Sequence, residues 1–401
     1  MFIFSRRTNF LSILLIFFVC FNVSKVKGSD FIFEHSIHLA LKNSLELKAQ
    51  NYRLAAAKHS LGEANSSKDW KNSFSTVFNS TNKDSNSNGF FGEDDTTTST
   101  ISISKNIFDG GEAFEKHSIA EDNLKLQRAN LIKVKQKIIL EAIKAYLDVY
   151  SNQSVVRLRK RSLKRFEENV EATKLKLEAG TVTPTVLAEA QSKYAKAKYE
   201  LILAEGNLNN YTSKLKSITK LKNVPSDLKL PKLNFKIPKT VNKAVEVSLE
   251  NNPIILVAKL EKDIAKKNVD LKKSNNRPSL KMEFFGKDSQ SSVNTSASDY
   301  QSYGANLTFS TPLFYNESTK DNIRRLDKLF IATSFDLLEK NRQVELNAIS
   351  SYQNYKSTLA KTSASRSEKI SSLLALNGIK KEAQFGIRTV LDVLDAEVEY
   401  L

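Results

Sequence analysis

The chain of 401 residues is 26% charged and 40% hydrophobic, holds only 12 Gly and 7 Pro, and carries a formal net charge of +17. Its length admits two or more domains, but this composition, with a single Trp, describes an extended helical chain better than a string of globular ones. The one cysteine, Cys20, falls in an N-terminal leader, which excludes disulfides and thiolate metal sites from the mature chain.

The leader is read from Arg6 and Arg7, the apolar run Phe10 to Val23, and the ending Val26-Lys27-Gly28. Together they form the pattern of a secretory signal peptide over residues 1–28. The run is short for a membrane span, and a single-pass anchor is the other reading. Phe17-Phe18-Val19 before Cys20 lacks the small residues of a lipoprotein site. Arg6, Arg7, Lys25 and Lys27 belong to the leader, so the remainder stays basic without them. Export argues against nucleic acid as the partner of that charge and for anionic lipid, lipopolysaccharide or an acidic protein.

From Ser36 to about Lys68 the pattern is helical, with Leu39, Ala40, Leu47, Leu54, Ala57 and Leu61 on one side. The period then changes to two. Phe74, Thr76 and Phe78 alternate with Ser75, Val77 and Asn79, and after a polar loop Ile101 and Ile103 alternate with Ser102 and Ser104, which predicts a β-hairpin. Asn106-Ile107-Phe108-Asp109-Gly110-Gly111 closes the second strand. Glu112 to Ala179 then contains no Gly and no Pro, and as one helix it would run roughly 100 Å at about 1.5 Å per residue. Ala142, Val149, Val156, Leu163, Val170 and Leu177 recur every seventh residue within it, the spacing of a supercoil seam. Taken alone, this stretch reads as a coiled-coil rod.

Gly180 and Pro184 mark a helical hairpin tip, and a return helix continues to about Ser217. Pro225, Pro231 and Pro238 punctuate a Lys-rich extended linker over 223–239. The plan then repeats. Ala56-Ala57-Lys58 corresponds to Ile264-Ala265-Lys266, and Trp70 to Pro278, each opening a strand. Leu280, Met282 and Phe284 alternate with Lys281, Glu283 and Phe285; Ala305, Leu307 and Phe309 alternate with Asn306, Thr308 and Ser310. Ile107-Phe108 matches Leu313-Phe314, Gly180 matches Gly386, and Val186 to Ala190 lie opposite Asp392 to Ala396 without a gap. A register held over about eighty residues is the mark of duplication. The expected division is a leader over 1–28, a first repeat over 29–222, the linker over 223–239 and a second repeat over 240–401. The return helix of the second copy stops at Leu401, opposite Ala195, and so is cut short relative to the first.

Strands of about eight to ten residues, apolar on one face and rich in Ser, Thr, Asn and Lys on the other, fit a barrel wall between lipid and a wet lumen. Four such strands cannot close a barrel, which needs about eight, and open edges are not tolerated in lipid. Membrane-spanning strands therefore require several chains. A soluble four-stranded sheet is the competing reading, but the sequence offers no apolar layer to cover it.

The duplicated plan, the strand end Asn106-Ile107-Phe108-Asp109-Gly110-Gly111, the tip Gly180-Thr181-Val182-Thr183-Pro184 and above all Gly386-Ile387-Arg388-Thr389-Val390-Leu391-Asp392-Val393-Leu394-Asp395-Ala396 resemble the TolC family of outer-membrane efflux and secretion channels. The resemblance covers about Asp30 to Leu401. It implies a mainly α fold with a β-barrel part: two structural repeats of long coiled-coil helices plus β-hairpins, assembled as a homotrimer with a twelve-stranded barrel in outer-membrane lipid and an α-helical periplasmic tunnel. It further implies a Gram-negative outer-membrane location, a periplasmic membrane-fusion adaptor and an inner-membrane RND or ABC transporter as partners, and export of small molecules or proteins as the function. The alternative from another class is a secreted or periplasmic coiled-coil binding or structural protein.

Asp392 and Asp395 lie three apart and share a helix face. Three-fold symmetry would set six carboxylates around a constriction and favour cations. An ordinary solvated pair is the competing reading. Arg388, one turn earlier, is placed to pair with Asp392 and hold the entrance closed. The family sometimes has an aromatic hydroxyl where this chain has Ala383, and Val186, beside Thr185, stands opposite Asp392, so any acidity at that level comes from the second copy. The tips, Gly180, Thr181, Val182 and Thr183 with Gly386, Ile387, Arg388 and Thr389, are the expected adaptor-docking surface; an exposed turn is the other reading. Arg157, Arg159, Lys160, Arg161, Lys164 and Arg165 read first as a solvated face and second as an adaptor contact. His35, His38, His59 and His117 have no metal-ligand spacing, and no nucleophile elbow or phosphate loop is present. No catalytic residue, metal or cofactor is expected.

Overall fold

The computed structural model describes residues 30–84, 91–231, 236–291, 299–314 and 317–400; the leader over 1–28 lies outside them. In order these form α1 (Asp30–Asn43), α2 (Leu45–Ser66), β1 (Lys71–Asp84), β2 (Phe91–Phe108), α3 (Glu112–Glu178), α4 (Pro184–Thr219), α5 (Val241–Asn251), α6 (Pro253–Ser274), β3 (Ser279–Ser291), β4 (Tyr300–Ser310), α7 (Glu317–Gln384) and α8 (Val390–Tyr400). The second six elements repeat the first six. α3 and α7, of 67 and 68 residues, are the twin long helices that the duplication implies. The helical pattern expected to be continuous from Ser36 is broken at Ser44, whose hydroxyl accepts the Leu47 N–H at 3.2 Å and so caps α2.

The strands pair antiparallel in the order β1-β2-β3-β4. They run to 14, 18, 13 and 11 residues, longer than the eight to ten expected. The added length comes from the hydroxyl-rich run around Thr96 to Thr100, which carries no apolar alternation and pairs through backbone groups and side-chain hydroxyls. Register decides the faces. Phe74 stands opposite Ile101, Ile103 opposite Phe284, Phe284 opposite Ala305, and Met282 opposite Leu307. On the other face Ser73 meets Ser102 with hydroxyls 2.8 Å apart, and Thr98 meets Ser289 at 3.1 Å. Phe74, Ile101, Leu307 and Phe309 are each more than 60% exposed in the single chain. Such a continuous apolar face demands lipid or protein. Trp70, just before β1, sits at the edge of that face, 6.1 Å from the Phe284 ring and under the Lys105 ammonium at 5.6 Å. β1 and β4 each keep one edge without a strand partner among the described residues.

Two compact units divide the helices differently from the repeats. Among the described residues the first comprises 30–43, 138–231 and 376–400, and the second 44–84, 91–137, 236–291, 299–314 and 317–375.

In the first unit Phe33, Ala145, Tyr146, Val149, Leu215 and Leu228 form a buried cluster, with Phe33 edge-on to Tyr146 at 5.1 Å. The seven-residue seam is present: Ala142, Val149 and Val156 are buried, and Leu163, Val170 and Leu177 are half-buried. The buried position between seam residues changes along α3. It is the fourth residue on at Tyr146 and Gln153 and the third at Phe166 and Thr173. Gln153 pins the start of the linker, donating to the Pro225 carbonyl at 2.7 Å and accepting the Leu228 N–H at 3.0 Å. Both peptide groups are thereby satisfied where no strand or helix could do so.

In the second unit the joint from β2 to α3 depends on Asp109-Gly110-Gly111. Asp109 accepts the Gly111 and Ala113 N–H groups at 3.0 and 2.8 Å, capping α3. Gly110 has φ +69°, and a Cβ there would lie 2.7 Å from Arg277 Cβ and 2.8 Å from the Ser274 carbonyl oxygen. The second copy thus crosses this joint at backbone distance, and Arg277 donates to the Gly110 carbonyl at 3.2 Å. Farther along, buried Asp122 receives Lys125 at 3.1 Å and Lys267 from α6. Burial opposes its ionisation, but hydrogen bonds and charge from Lys267 and Lys125 outweigh that and hold its carboxyl below the ordinary value.

Candidate channel entrance

The two helical tips are built alike because their sequences end the long helices alike. Gly180, at φ +73°, donates to the Leu177 carbonyl at 2.9 Å, and Thr181 donates to Lys176 at 2.9 Å. Gly386, at φ +75°, donates to Ala383 at 3.1 Å, and Ile387 donates to Glu382 at 3.0 Å. Each is the paired carbonyl closure that a left-handed glycine permits at a helix end. Neither glycine has an atom within reach of an added Cβ, so the requirement is for the backbone angle and not for space. Ile387 is 72% exposed beside Phe385 at 80%, which makes the second tip apolar where the first presents Ala179 and Thr181.

Beyond each tip the return helix starts differently. Thr183 precedes Pro184 and makes no side-chain cap. Thr389 makes a reciprocal one: its N–H and hydroxyl reach Asp392 Oδ2 at 2.8 and 2.9 Å, and its Oγ1 accepts the Asp392 N–H at 3.2 Å. This is a capping box with Asp in the third helical position. The backbone N–H and hydroxyl of Thr389, and after them the charge of Arg388, lower the Asp392 pKa from its ordinary value, which keeps the carboxylate ionised.

Arg388 does not form the direct pair with Asp392 that their spacing predicts. Its Nε binds Glu382 Oε2 at 2.9 Å, and that carboxylate raises the guanidinium pKa. The reason is geometric: the closed turn at Gly386 folds Arg388 back along the end of α7, within reach of Glu382, while Asp392 is already engaged by Thr389. Asp395 instead meets the Lys193 ammonium of α4.

Residues whose packing role the sequence does not reveal hold this geometry. Leu394, 1% exposed, packs with Phe166, Ala190 and Ala197. Glu397, 5% exposed, accepts from Lys380 of α7 at 2.7 Å and from Asn169 of α3 at 3.0 Å. α8 is therefore tied to α3, α4 and α7 by one apolar cluster and three polar contacts. Lys193 and Asp395 are too far apart in sequence for any spacing rule to connect. Only the duplication, which sets α4 against α8 and Glu189 opposite Asp395, brings Lys193 within a turn of that level.

The basic cluster of α3 is largely spoken for within the chain. Arg157 pairs with Asp227 at 3.4 Å, Arg159 with Glu200 at 2.7 Å and Lys160 with Glu205 at 3.1 Å. Among the described residues no helix is long and apolar enough to cross a membrane.

An apolar strand face, paired long helical hairpins and an acidic return helix are features of a conduit. The family described as outer membrane efflux protein matches residues 36–219 and 244–401. The chain belongs to that family. It is an outer-membrane channel protein with a periplasmic extension, and not an enzyme, which removes the alternative of a secreted or periplasmic coiled-coil binding or structural protein. Among its relatives, outer membrane efflux protein BepC of Brucella suis is 25% identical over 303 residues, 75% of this chain and 66% of BepC. Outer membrane protein TolC of Vibrio cholerae is 25% identical over 314 residues, 76% of this chain and 70% of TolC. The chain thus spans about two thirds of the length of these relatives. In structure it is similar to the CmeC outer membrane channel of Campylobacter jejuni, with a TM-score of 0.73 at 17% identity, covering 92% of this chain and 80% of that one.

Proposed function

We propose that three copies of this family member assemble into an exit duct, their sheets closing a twelve-stranded barrel and their helical hairpins forming a periplasmic tunnel. The observation that carries the reading is the four-stranded sheet, with an apolar face along Phe74, Ile101, Phe284 and Leu307 and two edges left without strand partners among the described residues. In lipid, unpaired edges cost several kcal/mol per backbone group, so the edges of neighbouring copies must pair.

The tips, Gly180 to Thr183 and Gly386 to Thr389, dock a periplasmic membrane-fusion adaptor, through which an inner-membrane RND or ABC transporter delivers small molecules or proteins. Asp392 and Asp395 line the constriction, and Arg388, paired to Glu382, stiffens the turn beside it. The duct supplies no energy; it opens at its tips and passes what the transporter drives.

Reconstitution of the purified protein into planar lipid bilayers tests this. Discrete conductance steps are expected. A folded protein that stays in buffer without detergent and yields no steps would overturn the duct.

A further inference from the structure

We propose that Lys193 sets how strongly the entrance favours cations, by neutralising one of the two carboxylates that α8 presents. The inference rests on the reading of Asp392 and Asp395 as constriction residues and adds a determinant from the other repeat. The two carboxylates are held in chemically different ways. Asp392 is engaged by the N–H and hydroxyl of Thr389, which carry no charge, and the nearby guanidinium of Arg388 is itself bound to Glu382. Asp392 therefore has no cation in direct contact, and the charge of Arg388 reaches it only through space and is shared with Glu382. Asp395 instead meets the ammonium of Lys193.

Lys193 is built for that position. It lies on the stripe of α4 that includes Ala190 and Ala197, both buried against α3 and α8, and its side chain is only 23% exposed whereas that of Asp395 is 66% exposed. The small residues on either side let α8 approach, and the lysine stem lies along the contact with its charged end at the carboxylate. Glu397, clamped by Lys380 and Asn169, fixes the height of α8 against α3 and α7 and so keeps Asp395 at that ammonium. Each chain then offers the passing ion one unbalanced charge in place of two, and a three-fold entrance offers three in place of six.

Reversal potentials in a salt gradient test the inference on channels that show conductance steps, which establishes assembly first. Lys193→Gln uncovers Asp395 and is expected to raise the cation-over-anion permeability ratio at least about twofold, the effect of one unbalanced charge about 10 Å from the ion in water. Asp395→Asn leaves the ammonium unopposed and lowers the ratio, while Lys193→Gln with Asp395→Asn returns it to the wild-type value. If Lys193→Gln leaves the ratio unchanged while Asp392→Asn lowers it, the lysine has no such role and the acidic constriction stands. If neither moves the ratio, both ideas fall.

Discussion

Tyr146 and Tyr352 occupy equivalent positions in the two long helices, and each donates its phenolic hydrogen to a backbone carbonyl of the connecting segment. Tyr146 reaches Lys229 at 3.0 Å, and Tyr352 reaches Lys239 at 2.7 Å. The duplication preserves a tether as well as a helix, using the same side chain to secure the two ends of one linker. Tyr146 is 1% exposed and Tyr352 7% exposed, so each phenolic hydroxyl is withdrawn from water and is satisfied by the carbonyl it meets.

Tyr146→Phe should therefore destabilise the protein by about 0.5–1.5 kcal/mol, the net worth of the hydrogen bond to the Lys229 carbonyl. Thermal unfolding of the detergent-solubilised protein followed by circular dichroism would show a lower Tm. An unchanged Tm would mean that the Tyr146 hydroxyl contributes nothing to holding the linker.

Two glycines with nearly the same φ should respond differently to alanine. At Gly180 only the left-handed backbone is penalised, at about 1–2 kcal/mol. At Gly110 the new methyl also meets Arg277 Cβ and the Ser274 carbonyl at under 3 Å, so the strand-to-helix joint must shift. The amount of folded protein recovered in outer membranes should fall far more for Gly110→Ala than for Gly180→Ala. Equal losses would contradict this account of the joint.

Removing the cap of α3 provides a third check. Asp109→Ala deletes both bonds to the first turn and should cost about 0.5–2 kcal/mol, while Asp109→Asn should recover most of it. Chemical denaturation of the two variants side by side measures the difference.

Much of this was legible in the sequence. Gly180 and Gly386 fixed both tips, Asp109-Gly110-Gly111 fixed the joint, and the seven-residue seam located the buried stripe of α3 from Ala142 onward. These signals are local: a backbone angle, a cap and a period. The strand ends were not legible, because Thr96 to Thr100 are polar on both faces and pair through hydroxyls. Nor were Gln153, Asn169 and Glu397, since a polar residue on a long helix looks solvated until a second helix covers it. Asp392 was legible as acidic but not as a cap, which requires knowing that α8 begins at Val390.

The acid response of Asp392 follows from that cap. Its pKa is lowered on folding, so the stabilisation it contributes is complete above the ordinary carboxylate value of 3.8 and is lost as pH falls through the lower folded value. The Tm difference between wild type and Asp392→Asn should be constant from neutral pH down to about 5 and shrink only in stronger acid. A difference that vanished near neutral pH would place Asp392 outside the capping box.

The central claim is that one chain supplies only part of a membrane cylinder and that association completes it. The mass of the particle in mild detergent, measured by native mass spectrometry, tests this most directly. Three copies of the chain are expected; a folded, stable particle of one copy would contradict the account.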